Sequence, residues 1–180
     1  MYYYDRDSQD KAAQDKVGLY RTIVACYPVF ADVVRAFDNK VFNCRLEDAL
    51  NAALAKKFGV YNIDGHEREF NNVRVHTQKE SKWISFLIYT RHHNDGYSIA
   101  FLKKDDLKDG KRIPADILIK SAREKREEFL KRAAQLEHDI QMIDTYRQQI
   151  NSIIKAFDSI TRNISYDAKN IYRIDYRITK

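Results

Sequence analysis

A stretch of about fifty residues, 114–164, has no glycine and, after Pro114, no proline. Apolar residues recur through it at Phe129, Ala133, Leu136, Ile140, Ile143, Tyr146, Ile150, Ile153, Phe157, Ile160 and Ile164. Their steps of four and three are those of an apolar seam along one side of a helix, the mark of a coiled coil or long helical hairpin. Unbroken, such a helix would run roughly 70 Å, more than a small domain can cover. It must fold back on itself, pack on a partner, or both. The seam drifts by one position near Gln141–Gln148, which places a break there. Thr145, Arg147, Gln148 and Gln149 also interrupt a perfect heptad. Phe129, Leu136, Ile140, Ile143, Ile150, Ile153 and Phe157 are the residues expected to carry self-association.

The remaining chain suits one small domain joined to that helix. Charged residues make up 32% of the 180 residues, with only five glycines and two prolines. That balance argues for a helix-rich folded protein and against disorder. Three regions are expected: 1–112, a helix cluster with an antiparallel sheet; 113–164, the long helix or helical hairpin; and 165–180, a tail returning to the sheet.

Residues 9–26 read as a first helix, with Val17, Tyr20, Ile23 and Val24 on its apolar face. Pro28 should break or kink it, and a short second helix should follow around Phe30, Val33, Val34 and Phe37. A third helix is expected over 44–58, capped by Asn43 and ended by Gly59. Alternation then shifts to period two. Strands are expected over 69–77, 82–91 and 97–103, and Asn94-Asp95-Gly96-Tyr97 is a tight-hairpin signal. Pro114 suits the first turn of the long helix. The alternating residues from Asn170 to Thr179 could supply a fourth strand. The fold class is therefore α+β: short N-terminal helices on a three- or four-stranded antiparallel meander, then a long helix or helical hairpin with coiled-coil character.

If Asp95-Gly96 is a two-residue loop, Asn94 faces Tyr97, His92 faces Ile99 and Thr90 faces Phe101. One sheet face then carries Ile84, Phe86, Ile88, Thr90, Ile99 and Phe101 as core. The other carries Trp83, Tyr89, Arg91, His93, Ser98 and Ala100, joined by Arg74 and His76. Rings that stack unpaired bases beside cations that meet phosphates suit single-stranded nucleic acid. Lys103, Lys104, Lys111 and Arg112 could extend that patch. The plainer alternative is a face covered by a helix.

The net charge is +6, and its excess lies late in the chain: residues 111–164 carry 11 basic and 8 acidic groups, and 165–180 carry 4 and 2. This permits nucleic-acid binding without requiring it. Along the long helix, Glu127 with Lys131 and Glu128 with Arg132 stand at the i,i+4 spacing of a solvated face. His92 and His93, adjacent in a strand, would point to opposite faces and chelate one ion poorly. Asn62-Ile63-Asp64-Gly65 and Asp105-Asp106 lack EF-hand spacing. Phosphate-loop and nucleophile-elbow patterns are absent. No metal, cofactor or catalytic residue is expected.

Cys26 and Cys44 read as buried free thiols of a reducing compartment. The start of the chain lacks a signal-peptide stretch and no run approaches membrane-spanning length, so a cytoplasmic protein without membrane contact is expected. The leading expectation is a non-enzymatic binding protein for RNA or single-stranded DNA that self-associates through its helices. The alternative is a protein–protein adaptor, inhibitor or structural subunit of a phage or mobile element, in which the helices carry the interaction and the charge attracts an acidic protein partner.

Overall fold

The computed structural model describes residues 6–59, 73–90 and 93–178. Its order is α1 (Arg6–Ala36), α2 (Cys44–Phe58), β1 (Arg74–Lys79), β2 (Trp83–Thr90), β3 (His93–Lys103) and α3 (Ala115–Ile178), with one 3-10 turn at Lys104–Asp106. The fold is α+β, with one antiparallel sheet in the order β1-β2-β3. The chain forms two compact units, Met1–Leu136 and Glu137–Lys180, which divide within α3.

In the first unit, α1 continues past Pro28 as one helix, where a break or kink and a separate second helix are expected. The reason is burial on both sides of the proline. Leu19, Tyr20, Ile23 and Cys26 precede it, and Phe30, Ala31 and Val34 follow, all packed into one core. A helical proline costs ~3 kcal/mol, whereas each large apolar side chain buried returns ~1.5–3 kcal/mol. Pro28 itself points to solvent. Within Lys11–Ala36 one window reaches a mean hydropathy of 1.4, so by length and composition alone this helix could cross a membrane, contrary to the expectation that no run approaches that length. Here 44% of that window is buried against the core.

Helix α2 has the limits its sequence signals. Asn43 Oδ1 accepts from the Arg45 amide at 3.0 Å. The Gly59 amide donates to Ala55 O at 2.8 Å, with Gly59 at φ 96°. Leu46, Leu50 and Leu54, four apart, are fully buried.

The meander forms in a different register from the expected hairpin. β3 begins at His93, and Thr90 pairs with His93, so the chain turns before Asp95-Gly96. Ser85 pairs with Phe101, Phe86 with Ala100 and Ile84 with Leu102. Ala100 and Leu102 therefore join Ile84, Phe86 and Ile88 in the core, and Phe101 turns to the outer face with Ser85. The register shifts between Phe86 and Leu87 and between Ile88 and Thr90 accommodate extra residues in β3. Gly96 serves a close approach instead of a turn: a Cβ there would lie 2.8 Å from the Tyr89 ring.

Both sheet edges are closed by side chains from neighbouring helices. Asn51 brackets Val75, accepting from its amide at 2.7 Å and donating to its carbonyl at 3.0 Å. Glu47 accepts from the Thr77 amide at 2.9 Å and from its hydroxyl at 2.7 Å. Four residues of helix rise about 6 Å and two residues of strand about 6.8 Å, so this i,i+4 pair matches alternate amides of β1. On the far edge, the Phe101 amide donates to Ser121 Oγ of α3 at 2.8 Å.

Helix α3 starts against the α1–α2 connection. Asp38 accepts from the Ala115 amide at 3.0 Å, capping the helix from another element. The Ile113 amide donates to Lys40 O, and the Asn39 amide to Ile113 O. Ala115, Leu118, Ile119, Ala122, Phe129 and Ala133 are buried. Helix α3 then continues without the expected break near Gln141–Gln148. Nor do residues 170–178 form a fourth strand; they remain helical. Ile164, Ala168, Ile171, Ile174 and Ile178 prolong the steps of three and four, so the tail satisfies helical period as well as alternation.

Candidate interaction surfaces

The outer sheet face brings together part of the expected basic–aromatic set. Arg74 pairs with Tyr89 across β1 and β2, its guanidinium 5.1 Å from the ring centre. Trp83 pairs with Lys103, whose Nζ lies 5.2 Å from the indole. Trp83 and Phe101 meet edge to face at 6.4 Å, and Trp83 is 40% exposed. An open groove of about 650 Å³ is lined by Trp83, Phe101, Ile117, Ser85 and Ser121. Its lining also mixes Lys103 and Lys120 with Glu80, Asp106 and Glu124. The register error thus hid Phe101, which sits beside Trp83, and Ile117 lay unnoticed in the first turn of α3.

Other expected contact residues lie away from this group. His76 Nδ1 lies 3.3 Å from Glu47 Oε1. Burial pushes the Glu47 carboxyl up, but hydrogen bonds from Thr77 and His76 together outweigh it and hold Glu47 below its ordinary range. Lys104 is exposed at the start of the 3-10 turn. Lys111 and Arg112 are tied to the α1–α2 connection, through Phe42 N to Lys111 O at 2.8 Å and Arg112 Nη1 to Asn39 O at 3.4 Å. Arg91 and His92 lie outside the described residues, as do His66 and Asn62-Ile63-Asp64-Gly65, and the His93 side chain is likewise not described.

Charges on the first part of α3 compensate one another. Glu128 takes Lys125 at 2.7 Å and also pairs with Arg132. The Lys125 hydrogen bond is the main reason the Glu128 carboxyl is held low. Glu127 pairs with Arg126 instead of Lys131. Asp38 is likewise held low, chiefly by the Ala115 amide and then by Lys108. Burial pushes the Cys26 thiol up to about 12, so it stays protonated in the core, whereas Cys44 is exposed. Among the described residues, no three His, Cys, Asp or Glu side chains are grouped to hold a metal.

The second surface lies on the C-terminal unit. Ile143, Tyr146, Ile150, Ile153, Ile154, Phe157 and Ile160 are 46–67% exposed, with Phe157 the most exposed. Apart from Ile154, which flanks them, their steps of three and four keep them to one stripe of the helix. Of the expected self-association residues, Ile143, Ile150, Ile153 and Phe157 lie here. Phe129 does not: it is a core residue of the first unit, packed on Tyr20 and Tyr97 at 5.5 and 6.2 Å. Leu136 and Ile140 are half-buried. The seam therefore changes use along α3, from intramolecular packing to an open apolar stripe. Comparison of the chain with family models, curated proteins and solved structures finds no match.

Proposed function

We propose that this protein is a non-enzymatic assembly subunit: the C-terminal half of α3 joins chains, and the N-terminal unit carries a contact face. The exposed stripe from Ile143 to Ile160 carries this reading. Large apolar side chains scattered singly on a surface need no explanation, but a continuous row of them marks an interaction site. Each gains roughly 1.5–3 kcal/mol when fully buried, so covering the row is a strong drive to associate. Ile150→Asp tests the reading by size-exclusion chromatography with light scattering. Assembly should be lost while the circular dichroism and unfolding transition of the N-terminal unit persist. Wild-type protein that elutes as a monomer at tens of micromolar would refute it.

The Trp83 platform favours a second reading, in which the outer sheet face holds single-stranded nucleic acid. An exposed indole beside Phe101 and Lys103, with Arg74 on Tyr89 roughly 20 Å along the same face, suits base stacking with phosphate contacts. Fluorescence anisotropy with a labelled single-stranded RNA and a matched duplex, across a salt series, tests it. The single strand should bind more tightly, with a log-linear loss on adding salt, and Trp83→Ala should weaken it several-fold without unfolding the protein. Equal or absent binding at low salt would remove this second reading.

A further inference from the structure

The stripe also specifies how many chains meet, an inference that rests on the self-association reading. Ile143, Ile150 and Phe157 recur every seven residues, and the sequence keeps isoleucine at the same step in Ile164, Ile171 and Ile178. Three residues after each of the first three stand Tyr146, Ile153 and Ile160, and the pattern resumes at Ile174. These are the a and d positions of a heptad repeat. Upstream, the companion residue comes four on instead, as in Phe129 with Ala133 and Leu136 with Ile140. The seam thus changes flank at Ile143–Tyr146, where the helix leaves the core.

Three features separate this seam from that of a two-stranded coil. Isoleucine predominates at both a and d, whereas a two-stranded coil favours leucine at d. From Gln149 to Asn170 the flanking e and g positions carry no charge, Arg147 before them and Asp175 and Arg177 after them being the charged ones, though e and g positions of dimers usually pair Glu with Lys. Ile154 is 51% exposed and widens the apolar surface beyond what one neighbouring helix covers. Between Gln149 and Asn163 the charges lie away from the seam: Lys155 and Arg162 fall at the outermost position, and Asp158 lies on the polar side. Identical copies can therefore meet along this part of the stripe without like charges facing each other, and it presents no charge for a chemically different partner to read. Asp167 is the one charged residue at an a or d position from Ile143 to Ile178, a polar interruption of the sort that holds register at some cost in stability.

We propose that three copies of this chain assemble through residues 143–178 as a three-stranded coiled coil. A closed ring of three identical chains has threefold symmetry, which runs the helices parallel.

Sedimentation equilibrium of the full chain tests the number directly. The expected mass is three times the 21.3 kDa chain. A dimer or tetramer would overturn the threefold proposal and leave self-association standing, and a monomer throughout would overturn both. The double variant Ile153→Leu and Ile160→Leu restores the leucine d positions that two-stranded coils favour, with little change in apolar volume. It should shift the population from three chains towards two. A variant that remains wholly trimeric would show that these residues do not set the number, and the proposal would fail.

Discussion

At the residue scale, the sheet edge depends on two polar side chains of one helix. Asn51 satisfies both backbone groups of Val75, and Glu47 satisfies the Thr77 amide. Asn51→Ala leaves the half-buried Val75 groups without that partner, and should cost about 1–3 kcal/mol in a urea unfolding experiment. Leucine at the same position should do no better. Glu47 adds a pH dependence. Its folded-state pKa is lowered from the ordinary 4.5, so its contribution is complete above that value and is lost as pH falls through the lower, folded value. Asp38 and Glu128 act in the same direction. Stability should therefore fall on acidification below about pH 4.5, and Glu47→Gln should flatten part of that fall. An unfolding midpoint with the same acid dependence in both proteins would contradict the assignment. The contacts of Asn51 and Glu47 have no local sequence signature. Asn51 and Glu47 look like ordinary helix-surface residues, because their partners lie 24 and 30 residues away.

At the scale of elements, what was legible followed from local chemistry. Asn43 and Gly59 mark the ends of α2 because capping uses only neighbouring residues. The strands were legible from β-branched and aromatic runs, and the glycine-free stretch showed the long helix. Three features were not. Pro28 gives a strong stop signal, but the apolar stripe of α1 keeps its phase across it, and tertiary burial decides. Asp95-Gly96 resembles a tight turn, yet β3 reaches back to His93 and places glycine under the Tyr89 ring. That shift moves Phe101 from the expected core to the outer face and Ala100 the other way. The tail from Asn170 satisfies period two and helical spacing at once, and the absence of any breaker since Ala115 favours the helix. Trp83, Tyr89 and Arg74 are legible as one face because they lie on β1 and β2, whose alternation does not depend on the β3 register, whereas Lys103, like Phe101, comes beside Trp83 only in the observed pairing.

At the scale of the whole molecule, one helix serves two purposes. Up to Ala133 its apolar side chains fill the core that α1, α2 and the sheet also build. Beyond Ile143 the same spacing continues with no described side chain of the chain covering it. A monomer would keep that row in water at continuing cost, which is the physical basis for assembly. The most direct measurement is sedimentation equilibrium of wild-type protein beside Ile150→Asp, from low to high micromolar concentration. The account predicts wild-type protein well above the 21.3 kDa chain mass, with the variant returning to that mass and retaining its fold. Wild-type protein that stays at 21.3 kDa across the whole range would contradict it.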